Sequence, residues 1–356
     1  MKRCPFCDEL IRDKAIKCKH CGSALEGPAG RPPGATLAGP TLPAEGDVLD
    51  VEATAVGQRS FHLQRVLAER AGWIRCVAFS PSGKRLASGA KQRVGVWHVA
   101  SGRRVLTLRG HTDRVYTVGF SPDGKRLISA GQDRTARVWD LATGDCVVEL
   151  TGHLDIVYGA AFSPNGGRVV TASGEGSLRL WEAAGGEFLR EFRAHEDAVL
   201  ALAFGPKGGR LFSAGSDGLA VVWDAASGTR VRELRGHRGS VLSLAVAPGG
   251  DRLATGGFDG TVRIWNVGSG VCEHVLTAHS REVWALAYSP CGRWVASGGR
   301  DGLVRIWHAR AGQCVQDLPG HGLAVRTAAF SPAVGMLASA GRDGKVRLWA
   351  EGGSGE

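Results

Sequence analysis

Seven tryptophans are spaced 42 residues apart along the chain, beginning at Trp97 and ending at Trp349. The members between them are Trp139, Trp181, Trp223, Trp265 and Trp307. A constant period of about 40–45 residues is typical of a β-propeller in which each unit forms a blade of four strands. Because a single blade cannot bury its apolar face, the period predicts an all-β ring of seven stacked blades.

Alternating apolar residues and turn signals predict the four strands of each unit. In the second unit they predict strands at Val115–Phe120, Arg126–Ser129, Thr135–Trp139 and Cys146–Leu150. The last unit ends near Trp349 before a fourth strand, whereas Ser60–Leu67 has the pattern of a fourth strand and precedes the first unit. We therefore expect Ser60–Leu67 to pair with the last unit and close the ring, which removes exposed sheet edges.

Six units carry a histidine, a serine or threonine, an acid and the tryptophan in one register. These sets are His111/Ser129/Asp133/Trp139, His153/Thr171/Glu175/Trp181, His195/Ser213/Asp217/Trp223, His237/Thr255/Asp259/Trp265, His279/Ser297/Asp301/Trp307 and His321/Ser339/Asp343/Trp349. Serine, histidine and aspartate together are also the residue types of a hydrolase triad. A catalytic triad is needed once, however, so a set that recurs six times at one spacing indicates hydrogen bonding inside the sheets.

Residues 59–356 resemble the WD40-repeat family, whose units begin near Gly-His and end at Trp-Asp. The resemblance implies a four-residue hydrogen-bonded set in each blade and a role as a rigid platform for interactions. The first unit departs from this pattern, since Arg70 replaces the histidine and Lys91-Gln92 lies near the expected aspartate. We therefore expect the first blade to be the least stabilised by side-chain hydrogen bonds.

Residues 1–25 contain two Cys-x-x-Cys pairs, Cys4 with Cys7 and Cys18 with Cys21. Four thiolates at this spacing predict a tetrahedral site for one structural zinc ion, and the segment resembles short bacterial zinc ribbons. A redox role for the pairs is the less favoured interpretation. Residues 26–58 are rich in Gly, Pro and Ala and then acidic, which predicts a flexible linker. The other five cysteines are expected to be buried or half-buried free thiols.

The formal net charge is +10, and most of the basic excess lies in residues 59–356. The chain shows no apolar signal-peptide core, and no apolar run approaches the ~18 residues that a membrane span requires. We therefore expect a cytoplasmic protein without a membrane association. Basic domains attract acidic proteins and nucleic acid, but a charge excess repeated around a ring favours repeat packing over one nucleic-acid patch.

The resemblance also predicts where a partner binds. In WD40 rings the residue after the first valine of the innermost strand lines the narrow rim of the central channel, and the residue before the acid faces the same side. An aromatic sector and a basic sector are expected there, formed respectively by Tyr116, Tyr158, Phe258 and Trp284, and by Arg75, Arg300, Arg326 and Arg342. Aromatic and arginine side chains dominate binding hot spots. The competing interpretation is that these rings only pack between blades.

These features predict a non-catalytic scaffold that binds a protein or peptide, acidic or phosphorylated, with the zinc ribbon as an accessory recruiting module. The alternative is nucleic-acid binding through the basic ribbon and the basic turns between the first and second strands of the blades. An enzyme is the third hypothesis, and it has the least support because every candidate nucleophile or base is explained by the repeat. No small-molecule substrate is expected.

Overall fold

The computed structural model describes residues 60–68, 72–333 and 335–352, and near the N-terminus it describes two short strands, β1 (Lys2–Arg3) and β2 (Leu10–Ile11). The chain separates into two compact units, Met1–Thr54 and Ala55–Glu356. In the first unit β1 and β2 pair antiparallel, with Lys2 opposite Ile11 and Arg3 opposite Leu10. The predicted boundary between residues 25 and 26 lies outside the described residues.

The second unit consists of seven antiparallel sheets of four strands each, as the period predicts. The first three blades contain β4 (Cys76–Phe79), β5 (Arg85–Ala90), β6 (Arg93–His98) and β7 (Arg104–Arg109); β8 (Val115–Phe120), β9 (Arg126–Gly131), β10 (Ala136–Asp140) and β11 (Cys146–Leu150); and β12 (Val157–Phe162), β13 (Arg168–Ser173), β14 (Ser177–Glu182) and β15 (Phe188–Arg193). The strands predicted for the second unit are confirmed to within two residues at each end.

The remaining four blades repeat the same layout. They contain β16 (Val199–Phe204), β17 (Arg210–Gly215), β18 (Leu219–Asp224) and β19 (Arg230–Arg235); β20 (Val241–Val246), β21 (Arg252–Gly257), β22 (Thr261–Asn266) and β23 (Cys272–Thr277); β24 (Val283–Tyr288), β25 (Trp294–Gly299), β26 (Val304–His308) and β27 (Gln313–Leu318); and β28 (Val325–Phe330), β29 (Met336–Gly341), β30 (Lys345–Gly352) and β3 (Ser60–Ala68).

The hydrophobic core lies between the blades. Within the described residues seven buried clusters occur, one at each junction of neighbouring blades. The repeated tryptophan contributes to the junction with the preceding blade, as Trp139 does beside Val94 and Leu108 of the first blade. Each blade is therefore stabilised by its neighbours, which is the physical reason that the repeat is stable only as a ring.

The strand β3 closes the ring by pairing antiparallel with β30 of the seventh blade, from Ser60 opposite Gly352 to Ala68 opposite Lys345. The side-chain amide of Gln316 in the sixth blade accepts from the backbone N–H of Phe61 at 2.7 Å and donates to its carbonyl at 2.8 Å. The Phe61 ring packs edge-on against Phe330, with centroids 5.9 Å apart. The predicted closure by an N-terminal strand is confirmed.

The first, innermost strand of each blade begins at one face of the ring, which we call the upper face. These seven strands are β4, β8, β12, β16, β20, β24 and β28. The second strands begin at the opposite, lower face, because they pair antiparallel with the first, as Leu127 does with Phe120. The basic turns between the first and second strands therefore lie on the lower face. The described part of the chain has no helix long and apolar enough to cross a bilayer.

Candidate functional site

The six recurring polar sets form hydrogen-bonded tetrads within single blades. In the fourth blade the indole Nε1–H of Trp223 donates to Ser213 Oγ at 2.9 Å, and Ser213 Oγ lies 2.7 Å from His195 Nε2. His195 Nδ1 lies 2.9 Å from the Asp217 carboxylate. The same three links occur in the other five blades that carry the set. The structure thus gives these residues the structural role predicted from their repetition.

The direction of the hydrogen bonds follows from the two ends of each tetrad. An indole N–H can only donate and an ionised carboxylate can only accept, so the hydroxyl donates to histidine Nε2 and histidine Nδ1–H donates to the acid. This series of hydrogen bonds requires a neutral imidazole. In agreement, burial is the main cause that lowers the pKa of His153, His195, His237, His279 and His321. Burial, and then the positive charge of Arg347, lowers the pKa of His321 to about 4.

Among the residues that the structure describes, the first blade keeps only one of these links. Trp97 Nε1–H donates to Ser88 Oγ at 2.9 Å, and Ser88 is fully buried. Lys91 and Gln92 occupy the turn that carries an acid in the other blades, and Gln92 Nε2 donates to the carbonyl of Thr112 in the second blade at 2.6 Å. Arg70 lies outside the described residues. Side-chain hydrogen bonding within the first blade is therefore reduced, as the sequence predicts.

An axial cavity of about 480 Å³ runs between the seven innermost strands. Its upper mouth is lined by one residue from each blade, which we call the rim residues: Arg75, Tyr116, Tyr158, Leu200, Leu242, Trp284 and Arg326. They occupy the positions that the family resemblance predicts.

A backbone irregularity explains why these side chains reach the cavity. In blades two to seven the strand register shifts at the rim residue, as between Val115 and Thr117 around Tyr116 and between Val325 and Thr327 around Arg326. Such a bulge inserts one extra residue and redirects its side chain. The bulge repeats in every one of these blades, and the sequence pattern alone gave no sign of it.

The aromatic rim residues contact their neighbours around the mouth. The rings of Tyr116 and Tyr158 meet edge to face, with centroids 5.1 Å apart and planes at 88°. The guanidinium of Arg75 lies 4.4 Å from the Tyr116 centroid, and that of Arg326 lies 3.9 Å from the Trp284 centroid. All three rings remain partly exposed, unlike the repeated blade tryptophans. The two predicted sectors therefore meet at two places, where Arg75 stacks on Tyr116 and where Arg326 stacks on Trp284.

The residues before the tetrad acids lie on the same face. The backbone N–H of Arg342 donates to Ala324 two residues before Arg326, and the guanidinium of Arg342 lies 4.6 Å from the Trp73 ring. Phe258 is 56% exposed and its N–H donates to Ser240, but its side chain does not line the cavity. Of the four aromatic residues predicted for the upper face, Tyr116, Tyr158 and Trp284 therefore line the cavity mouth and Phe258 lies outside it.

Arg300 differs from the other predicted arginines because it has an ionic partner. Its Nη1 lies 2.7 Å from Glu282 Oε1, and Glu282 is largely buried beside it. Sequence reasoning placed Arg300 in the basic sector without recognising this pair. The carboxylate neutralises the guanidinium, so the unpaired positive charge of the rim lies at Arg75, Arg326 and Arg342.

The arginines that recur two residues before the blade tryptophans serve packing within the blades. Arg137 pairs with Glu149 at 2.6 Å and Arg179 with Glu191 at 2.9 Å. Arg305 pairs with Asp317 at 3.2 Å, and Arg347 is buried beside Asp343. Because acids of the same blade compensate the charges of these four arginines, they offer little to a nucleic-acid backbone.

The cysteines follow the prediction only in part. Cys76 is buried and Cys272 half-buried, whereas Cys146, Cys291 and Cys314 are exposed. Two of the exposed thiols lie on outermost strands, where one face meets solvent. The predicted zinc ligands Cys4, Cys7, Cys18 and Cys21 lie outside the described residues, so the zinc site stays a prediction. Among the described residues no group of three histidine, cysteine or acidic side chains is placed to hold a metal.

Comparison with known families gives a match to the WD domain, G-beta repeat, at residues 61–98, 102–140, 144–182, 186–224, 228–266, 270–308 and 312–350. The chain belongs to the WD40 family. Each matched segment begins at the outermost strand of one blade and continues through three strands of the next, so the first segment starts within β3. Propellers of this family generally act as non-catalytic scaffolds that bind proteins.

Three relatives match short stretches of this chain. An uncharacterized WD repeat-containing protein of Synechocystis is 49% identical over 63 residues, 17% of this chain and 18% of the relative. WD repeat-containing protein 1 of Xenopus tropicalis is 35% identical over 82 residues, which cover 22% of this chain and 14% of the relative. The intraflagellar transport protein 122 homolog of Danio rerio is 41% identical over 59 residues, 17% and 5%. The chain thus spans less than a fifth of each relative's length.

Replacing the tetrad hydroxyl should cost more in a complete blade than in the first blade. Ser213→Ala leaves both His195 Nε2 and Trp223 Nε1 unpaired, a loss of roughly 2–5 kcal/mol, whereas Ser88→Ala leaves only Trp97 Nε1 unpaired and should lose roughly 1–3 kcal/mol. Urea denaturation of both variants measures the difference. Equal losses would contradict the reduced bonding of the first blade.

Stability should fall on acidification below about pH 6.5. The folded state lowers the pKa of His153, His195, His237, His279 and His321, so the unfolded chain binds more protons as the pH falls from the ordinary histidine pKa toward the folded value. His321, whose pKa is about 4, should account for as much as about 3 kcal/mol between these limits. Urea midpoints measured from pH 7.5 to 4.5 test this, and a midpoint that stays constant down to pH 5 would contradict neutral tetrad histidines.

Proposed function

We propose that the upper face of the WD40 ring binds a protein partner through a short segment. In this proposal an apolar side chain of the partner enters the cavity mouth beside the rim aromatics, and an acidic or phosphorylated group lies over the basic sector. The N-terminal segment with the two Cys-x-x-Cys pairs, residues 1–25, recruits a second binding partner.

The main support for this proposal is that the rim side chains, positioned by the bulges, point to the open mouth of one cavity. Tyr116, Tyr158 and Trp284 project from three blades toward the same cavity, whose wall also contains Leu200 and Leu242. Aromatic and arginine side chains around an apolar pocket supply the contacts that dominate protein interfaces. Because bulges fix the backbone at these positions, the surface is organised before a partner arrives, which lowers the entropy cost of binding.

The competing explanation for the rim aromatics is packing between blades. The blade tryptophans illustrate packing, since they are 1–6% exposed within the junction clusters. The rim rings differ because they stand at a cavity mouth, remain partly exposed and contact mainly each other and two arginines. Partial exposure of three large rings around one opening favours binding over packing.

The rim aromatics can be tested by partner capture. We expect the full chain to retain a protein from a native cytoplasmic lysate and the Tyr116→Ala/Tyr158→Ala/Trp284→Ala variant to lose it, because the variant removes the apolar anchor. Affinity purification with mass spectrometry identifies the retained proteins, and circular dichroism verifies that both baits are folded.

A matched control removes exposed apolar side chains elsewhere on the ring. Phe188 and Val271 lie on or beside outermost strands and are 51% and 59% exposed. The Phe188→Ala/Val271→Ala bait should retain the same protein as the unmodified chain. If all three baits retain the same set, the rim is not the binding site. If they recover only nucleic acid that salt removes, the nucleic-acid alternative replaces the scaffold proposal.

We also propose that Cys4, Cys7, Cys18 and Cys21 bind one structural zinc ion. The support is the spacing of the two Cys-x-x-Cys pairs, together with the pairing of β1 and β2 on either side of Cys4 and Cys7 in the sequence. A segment of this size lacks enough apolar surface for a core, so zinc supplies much of its folding free energy.

Metal analysis of the purified full chain should find one zinc per chain. Cys18→Ser/Cys21→Ser should remove it, because two thiolates do not complete a tetrahedral site. The control Cys146→Ser/Cys314→Ser changes two exposed thiols of the ring and should leave the zinc content unchanged. Zinc that persists in the first variant would contradict the assignment.

A further inference from the structure

We propose that the lower face of the first blade binds the phosphate backbone of a nucleic-acid duplex without regard to base sequence. The site is formed by Lys84, Arg85 and Arg103, which we call the lower patch. These residues lie on the face opposite the rim residues. The inference therefore goes beyond the proposed function and does not depend on it.

The first blade lacks an acid that other blades place beside a basic residue of the lower face. In blades two, three and four the second strand begins with an arginine that lies opposite an acid of the third strand. These pairs are Arg126 with Asp140, Arg168 with Glu182 and Arg210 with Asp224. In the first blade Arg85 lies opposite His98 instead. Because opposite charges on neighbouring strands attract each other, Arg85 lacks a compensation that its three counterparts have.

A neutral cap makes this exchange possible in the turn between the third and fourth strands. In the second blade the carboxylate of Asp140 accepts the backbone N–H of Ala142 at 2.7 Å. In the first blade His98 Nδ1 accepts the backbone N–H of Ser101 at 3.3 Å. The turn is thus capped in both blades, but in the first blade the cap carries no negative charge.

The turn between the first and second strands shows the same exchange. Asp123 accepts the backbone N–H of Lys125 at 3.0 Å in the second blade, whereas Ser82 Oγ accepts that of Lys84 at 3.4 Å in the first. Residues 80–84 and 99–103, the two lower turns of the first blade, consequently contain no acid. Their basic residues remain without a neighbouring carboxylate.

The three cations of the lower patch are exposed and close together. The backbone N–H of His98, which lies opposite Arg85, donates to the carbonyl of Arg103 at 2.8 Å, and that of Val99 donates to Lys84 at 2.9 Å. The centres of the two turns are roughly 10 Å apart, since they join successive strand pairs of one sheet. In the part of the chain that the structure describes, none of the three side chains forms an ion pair.

Further charges define the extent of the lower patch. A Cβ built on Gly102 would lie 2.6 Å from Arg65 Nη1, so the Arg65 guanidinium packs against the turn that precedes Arg103 and adds a cation on that side. On the other side a groove of about 560 Å³ is lined by Lys125 as well as by the patch. Asp123 and Asp140 also line this groove, and they limit the positive surface to the neighbourhood of the first blade.

The side chains of this surface favour a nucleic acid over a protein partner. The two lower turns expose no aromatic ring and no Leu, Ile, Val or Met side chain, since Val99 is 7% exposed. Protein interfaces depend on such apolar anchors, whereas contacts to a phosphate backbone require only cations and other donors. A single strand gains affinity by stacking its bases on aromatic rings, so their absence here favours a duplex.

The neighbouring acids favour a duplex over an anionic membrane. A membrane is a broad surface that would approach much of the lower face, including Asp140, Glu182 and Asp224 of the next three blades. A duplex is narrow and can contact the first blade alone. Two of the three patch residues are arginines, whose planar fork matches the oxygens of a phosphate.

The first arm of the test measures binding by the full chain with fluorescence anisotropy. The probes are a short DNA duplex, an RNA duplex and a DNA single strand of equal length, and vesicles of phosphatidylcholine with phosphatidylserine. We expect both duplexes to bind more tightly than the single strand and the vesicles. The logarithm of the affinity should fall linearly with the logarithm of the salt concentration, by about 0.9 for each phosphate contacted.

The second arm assigns the binding to the lower patch. Lys84→Gln/Arg85→Gln/Arg103→Gln should lose at least about tenfold in affinity for the DNA duplex at low salt, and its salt slope should be smaller by about 2–3. The control Arg168→Gln/Lys207→Gln/Arg210→Gln removes the same charge from exposed positions of blades three and four and should bind the duplex normally. Thermal unfolding verifies that both variants are folded.

A third variant separates this inference from the proposed function. The rim-aromatic variant Tyr116→Ala/Tyr158→Ala/Trp284→Ala should bind the duplex as tightly as the unmodified chain, because its substitutions lie on the upper face. Loss of the captured protein in this variant with unchanged duplex binding supports both proposals. Unchanged protein capture with unchanged duplex binding removes the proposed function alone.

Four results would overturn the inference. They are an absence of duplex binding by the full chain, an equal effect of the two charge variants, loss of duplex binding in the rim-aromatic variant, and vesicles that bind through the lower patch more tightly than the duplexes. The second result would show that net charge alone attracts the duplex. The third would move the site to the upper face, and the fourth would identify a membrane surface as the ligand.

Discussion

The pairing of β3 with β30 is the interaction on which the rest of the ring depends. Each blade buries its apolar surface only against its neighbours, so seven blades in an open row would leave two unprotected ends. The closing strand supplies the fourth strand of the seventh blade, and Gln316 binds its backbone to the sixth. Closure also brings the seventh and first blades together, and this junction holds the unpaired arginines of the upper face.

In each repeat, different residues serve stability and binding: the tetrad stabilises the blade, and the rim residue faces the cavity where a partner would bind. Inside each complete blade the tryptophan, hydroxyl, histidine and acid satisfy one another and leave no donor for a ligand. At the innermost strand the bulge directs one variable residue per blade into the mouth of the cavity. The buried set can therefore stay constant while the rim residue changes from tyrosine to leucine to arginine around the ring.

The candidate site was predictable in position but not in all of its contacts. The residues lining the mouth follow from the repeat register, which places equivalent positions together once the ring is closed. The pairing of Arg300 with Glu282 could not be read from the sequence, because the two residues are 18 positions apart and meet only through the turn that joins the second and third strands. Likewise, Phe258 and Arg342 share one register position outside the cavity lining, yet only Arg342 stacks on an aromatic ring.

The sequence by itself determined the number of blades, the strand order, the tetrads and the closing strand, because each depends on local pattern and on a period that repeats without interruption. Only the tertiary structure decided which rim charges are compensated, which rings hold them and which cysteines face solvent. Those properties depend on distances between side chains of neighbouring blades or distant turns. The repeat period determines which residues lie near one another, and side-chain packing determines which of them are in contact.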